Sequence, residues 1–177
     1  MAYSPEANFP FIKNRAVYDD LKKRTVITIF GSYDKKSKKR LEKIRTKIKQ
    51  EFPSTFLVID RTSPAKKENQ TTNAHIYEKS LYWVKNSDIV IWIYFIDSDK
   101  SGESIEIGSV PFLRNDLNKV IIVRETLTLG KDPPMTRLLS GLSDTYQEIN
   151  VIDFEKGKDV TMTGDVIGKL RDIIRKI

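Results

Sequence analysis

The sequence has no cysteine and one histidine, His75. The first absence excludes disulfides and thiolate metal sites, and the second leaves any metal centre to rest mostly on carboxylates. No run approaches the roughly eighteen uninterrupted apolar residues of a membrane span, so no membrane association is expected. The opening residues, MAYSPEANFPF, lack the charged-then-apolar order of a signal peptide. A cytoplasmic protein is the expectation. Glutamine is scarce, three residues in 177, beside abundant Lys, Arg, Glu and Ile, a balance that suits a thermophilic source. There is no internal repeat and no low-complexity segment. G-x-G-x-x-G and the Walker lysine are both missing, which argues against dinucleotide and triphosphate loops of those types.

What is present fits one compact domain with a full core: 177 residues, 39% of them hydrophobic. The formal net charge is +7. The cations are spread through predicted helices and alternate with acids, as in K-L-R-D-I-I-R-K. That pattern reads as solvated helix faces with some attraction for small anions such as phosphate esters, and nucleic acid is not expected as a partner.

Taken in order, residues 1–24 form an arm with a short helix that turns Val17 and Leu21 inward. Val26 to Phe30 is a first buried strand. A helix follows with Leu41, Ile44 and Ile48 at helical spacing, ending before Pro53. Phe56 to Ile59 is a second strand, and residues 61–72 are a polar loop of the kind that shapes a site. Asn73 to Asn86 forms a helix with Ile76, Tyr77, Leu81 and Val84 on one face. The apolar run Ile89 to Ile96 is strand three, and Ser104 to Leu113 a helix interrupted early by Pro111. Lys119 to Arg124 is strand four, M-T-R-L-L a short helical segment, and Ile149 to Phe154 strand five. The last helix places Val166, Leu170, Ile173 and Ile177 on one stripe. This alternation predicts a three-layer α/β/α domain over residues 25–177, with a five-stranded parallel sheet in the flavodoxin-like order 2-1-3-4-5.

In such a sheet the site lies outside the carboxyl ends of strands one and three. Two loops meet there. Gly31-Ser32-Tyr33 leads into a helix, and reads either as an ordinary tight turn or as a helix start whose N–H groups hold an anion. The second loop carries Asp97, Asp99, Glu103 and Glu106 around Gly102. Glu106 falls in the first turn of the following helix, where the helix dipole favours its ionised form. That suits a nucleophile or an electrostatic stabiliser better than a general acid. A plain stabilising first-turn acid remains the alternative. His75 near a helix start reads as a surface or capping residue. Trp83, Trp92, Tyr77 and Tyr94 read as core.

These segments resemble the nucleoside 2-deoxyribosyltransferase family, including its branch of 2′-deoxynucleoside 5′-monophosphate N-glycosidases. The carrying motifs are I-T-I-F-G-S-Y, then E-K-S-L-Y-W-V-K-N-S-D-I-V-I with Asp88 opening the strand, then S-I-E-I-G at Ser104 to Gly108. M-T-R-L-L-S-G-L-S followed by I-N-V-I-D-F resembles the segment that reaches a neighbouring subunit's phosphate pocket. The resemblance implies cleavage or transfer at the N-glycosidic bond of a nucleoside or nucleoside 5′-monophosphate, with Glu106 as nucleophile. It implies that Gly31, Ser32 and Tyr33, with Gly102 and Glu103, contact the substrate, and that Thr136 and Ser140 bind a phosphate across a homodimer. No metal or organic cofactor is implied. One position departs from the family: its helix Asp falls here on Ser80, and a hydroxyl cannot replace a carboxylic acid as proton donor. Glu78, about 200° around the helix from Ser80, points elsewhere. Asp97 and Asp99 are candidate substitutes, and Lys100 stands where transferases often carry an acid. A non-catalytic nucleotide-binding domain of the same fold is the alternative.

Overall fold

Five apolar, β-branched runs form one all-parallel sheet in the order β2-β1-β3-β4-β5, the topology expected from the sequence. The structure, a computed structural model, describes residues 9–98, 107–127 and 136–177, with side chains for 14–98, 107–127 and 140–177. The strands are β1 Ile27–Gly31, β2 Thr55–Leu57, β3 Ile89–Tyr94, β4 Val120–Thr126 and β5 Asn150–Glu155. The described helices are α1 Phe9–Arg24, α2 Lys35–Lys49, α3 Thr72–Asn86, α4 Val110–Leu113, α5 Thr136–Thr145 and α6 Asp159–Ile174. No helix among the described residues is long and apolar enough to cross a membrane.

Strand alternation builds two cores, one on each face of the sheet. Ile27, Ile29, Ile89, Ile91, Ile93, Ile121 and Val123 pack against Leu41, Ile44 and Ile48 of α2 and Met162, Val166 and Leu170 of α6. Tyr18 and Leu21 of α1 lean on the same cluster. Phe30, Val90, Trp92, Tyr94, Val120 and Ile122 pack on the other side against Trp83 and Val84 of α3 and Val110 of α4. Phe30 and Trp92 stack with ring centroids 4.6 Å apart. Each fully buried Ile or Phe contributes about 1.5–3 kcal/mol, so this double-sided sheet carries most of the stability.

The amino end of the sheet is closed by one buried cation. Arg114 donates to the carbonyls of Val84 at 2.8 Å, Ser87 at 2.6 Å and Asp88 at 2.9 Å, and so satisfies the C-terminus of α3. Asp88 accepts from the Val26 N–H at 2.7 Å. The aspartate that opens the third strand therefore works at the end of the sheet opposite the predicted site.

Several predicted faces are rotated. Val17 is 59% exposed, whereas its neighbour Tyr18 and Leu21 meet the core. On α3, Ile76 and Tyr77 are 55% and 41% exposed, and the inward stripe is Ser80, Trp83 and Val84. Trp83 decides this rotation: it buries the largest apolar area on the helix, and its indole N–H finds the Thr62 carbonyl at 2.9 Å. Ile177 lies past the end of α6 and is 55% exposed. The second strand stops at Leu57 and turns into a 3₁₀ segment, Val58–Asp60, instead of running to Ile59. Before Pro111 the helical path breaks at Ser109, consistent with the proline ring's clash with the carbonyl four residues back. Residues 104–106 of that predicted helix lie outside the described residues.

Candidate functional site

Gly31 at the end of β1 pairs with Ile93 near the end of β3, so the two following loops leave the sheet side by side. This is the switch point at which the order reverses, from β2 on one side of β1 to β3 on the other. Gly31 is required there by close approach. A Cβ at this position would stand 2.9 Å from the Ile93 carbonyl oxygen and 3.1 Å from Leu41 Cδ1.

The next residues build a carboxylate-capped helix start. Ser32 Oγ donates to Asp34 at 3.0 Å, and Asp34 accepts from the N–H groups of Lys36 and Ser37, each at 3.0 Å. Bonds from the Ser37 side chain and backbone, then from Ser32 and the Lys36 backbone, bring the Asp34 carboxyl down to about 2. The first-turn donors of α2 are thus taken by a carboxylate of the chain itself. A sugar hydroxyl, which can donate to Asp34, suits this loop better than a phosphate. Tyr33 completes the loop, half-buried, with its hydroxyl donating to the Ile29 carbonyl at 3.3 Å.

The loop after β3 is anchored by a residue that sequence reasoning missed. Glu125 on β4 is 3% exposed and accepts from the Ile96 N–H at 2.9 Å. It also takes two bonds from Arg40 of α2, at 2.6 and 3.3 Å. Arg40 reaches Asp159 at the start of α6 through Nε, at 2.9 Å, and its guanidinium lies 3.8 Å from the Phe95 ring centroid. Burial disfavours the Arg40 charge, but its bonds to Asp159 and Glu125 outweigh it and hold the guanidinium above its ordinary range. The predicted strand ended at Arg124, two residues short of Thr126. An acid at the carboxyl end of an apolar strand was the signal available for Glu125.

The candidate acids divide. Asp97 is bound by Lys156 at 2.7 Å and Lys36 at 3.4 Å, and these bonds, Lys156 first, hold its carboxyl below the usual range. It is an anion at neutral pH and a poor proton donor. Asp99, Lys100, Gly102, Glu103 and Glu106 lie outside the described residues. Ser80 is 5% exposed, buried on the sheet side of α3. Glu78 turns outward, as expected, to Lys67 at 2.9 Å. Ser140 accepts from Arg124 of its own chain at 3.0 Å, and Arg124 is forked onto Asp153 at 2.6 and 2.8 Å. The side chain of Thr136, the first residue of α5, lies outside the described residues.

Trp83, Trp92 and Tyr94 are core residues, 8%, 0% and 6% exposed, whereas Tyr77 is not. His75 is half-buried, and its Nδ1 has no hydrogen-bond partner among the described residues. Among the described residues no group of three or more His, Asp or Glu side chains is placed to hold a metal ion. Comparison of the sequence with protein-family models gives no match, and none of the curated proteins matches it.

Proposed function

We propose that the protein cleaves or transfers the N-glycosidic bond of a deoxynucleoside or its 5′-monophosphate, with Glu106 as nucleophile. The observation that carries this reading is the sheet order, which brings the Gly31–Tyr33 loop beside the strand that leads toward Glu106. A Glu106 carboxylate oxygen bonds to C1′ as the C1′–N bond breaks and the base leaves with the electron pair. The base takes a proton from solvent or a nearby acid. Water, or the nitrogen of a second base, then attacks C1′ and frees Glu106, the sequence of a retaining glycosidase. Ser32 and Asp34 would bind sugar hydroxyls in this scheme. The family resemblance also implies a homodimer.

The test is a screen of nucleosides, 5′-monophosphates and NAD for free base. The reading expects release by the wild type and a loss of roughly 10³-fold or more in Glu106→Ala. A clean preparation that frees no base from any of them refutes it.

Two observations favour a second reading, a nucleotide-binding domain without turnover. By the resemblance Ser80 stands where the family carries its helix Asp, and Asp97 is held ionised by Lys156 and Lys36. Ser80→Asp separates the readings. A large gain in hydrolysis marks an intact scaffold that lacks only the acid, and no gain with tight nucleotide binding marks a dedicated binder.

A further inference from the structure

Away from the switch point, the carboxyl end of β2 gathers cations of which two, Arg61 and Lys79, have no ion pair among the described residues. Arg61 follows the 3₁₀ segment Val58–Asp60, and its guanidinium carbon lies 3.6 Å from the Trp83 ring centroid and 4.2 Å from that of Phe56. These aromatic contacts account for the faces of the guanidinium and leave its N–H groups unexplained. Among the described residues the buried Nε–H has no acceptor and no carboxylate forms an ion pair with Arg61. The nearby acids are engaged elsewhere: Asp60 with Arg45 at 3.3 Å, Glu78 with Lys67 at 2.9 Å.

Lys79 stands one helical turn before Trp83 on α3 and holds the Ile59 carbonyl at 3.0 Å, which leaves further ammonium donors. Burial lowers the pKa of both groups, Arg61 against an opposing contribution from Tyr82, Lys79 against one from Asp60. His75, one turn earlier still, has an orphaned buried Nδ1. Side chains four apart share a helix face, so His75, Lys79 and Trp83 form one stripe about 12 Å long. A buried guanidinium N–H with no acceptor is costly unless something binds it, and a flat, stacked guanidinium is pre-organised for an oxyanion.

We infer that Arg61 and Lys79 form a binding site for a phosphoryl group of a small molecule at the carboxyl end of β2. The site stands apart from the glycosyl reading: it uses none of the residues invoked there and takes no part in bond cleavage. The phosphoryl group belongs either to free phosphate or to a phosphate ester, and one experiment separates these sources.

Full-length protein is titrated with inorganic phosphate, 2′-deoxyguanosine 5′-monophosphate and 2′-deoxyguanosine at ionic strength fixed with chloride. Tryptophan emission is the readout, because Trp83 lies against Arg61 while the other tryptophan, Trp92, is fully buried. The expected result is a saturable change with at least one phosphate-bearing probe and none with the nucleoside. The apparent Kd rises at least tenfold in Arg61→Gln and rises in Lys79→Gln, with far-UV circular dichroism unchanged. Saturation by inorganic phosphate assigns the free anion, and saturation by the monophosphate alone assigns the ester. No saturable change with either, or equal affinity in both variants, overturns the inference. If Arg61→Gln folds poorly, Lys79→Gln decides. Base release is not read, so failure of the glycosyl reading leaves this result standing.

Discussion

Around the carboxyl end of β4, buried Glu125 meets Arg40 and the Ile96 N–H, and Arg40 continues to Asp159. Around the carboxyl end of β2, Arg61 meets two aromatic rings, and among the described residues its buried Nε–H has no acceptor. Both regions bury part of a charged group, and among the described residues only the first returns an opposite charge. Breaking a satisfied buried pair strands its partner, whereas removing a charge that is already unmatched relieves a penalty. The first region therefore reads as scaffold, a clamp on the loop that leads toward Glu106. The second reads as a surface kept at some cost to stability for something that binds it.

Stability measurements can break this comparison. Glu125→Ala leaves Arg40 and the Ile96 N–H without their buried acceptor, and is expected to cost about 3–5 kcal/mol in urea unfolding. Glu125→Gln, which retains an acceptor for Ile96, is expected to cost less. A loss of under about 1 kcal/mol in Glu125→Ala would mean that the clamp is not a clamp.

Asp34 makes a smaller, pH-dependent contribution. Its carboxyl falls from the ordinary 3.8 to about 2 in the folded protein. A depressed folded value means stabilisation that is fully present above the unfolded value and lost as pH falls through about 2. Asp34→Ala is expected to lower Tm by a few degrees at neutral pH through loss of the cap, with the difference from wild type shrinking as the pH drops toward that value. A Tm difference that stays constant to low pH contradicts the assignment.

Arg61→Leu is expected to show the smallest change. Stability stays within about 1 kcal/mol of wild type or rises, because lost stacking offsets a relieved desolvation. A loss as large as that of Glu125→Ala would place Arg61 in the scaffold and erase the contrast between the two regions.

The sequence showed the fold more clearly than it showed the site. Strand period, β-branched runs and helix spacing predicted all five strands and their order, because burial on both faces of β3 leaves a continuous apolar signature. Helix rotation was harder. On α3, Ile76 and Tyr77 look as apolar as Trp83, and only the third dimension shows that the Thr62 carbonyl waits for the indole. The charge network was not legible, because its partners are far apart in the chain. Arg40 and Glu125 are 85 residues apart, and the Asp97–Lys156 pair spans the last three strands. Such pairings are set by which loops the sheet order brings together, and composition carries no trace of them. Arg61 passed for one more cation in a polar loop until its surroundings showed no counter-charge among the described residues.

The most direct test of the glycosyl account locates the sugar during turnover. Protein quenched in acid while releasing base from its best substrate is digested and its peptides are weighed. The account predicts the added mass of the sugar on the peptide containing Glu106, and its disappearance in Glu106→Gln. Sugar on another residue, or sustained base release with no sugar attached, would contradict it.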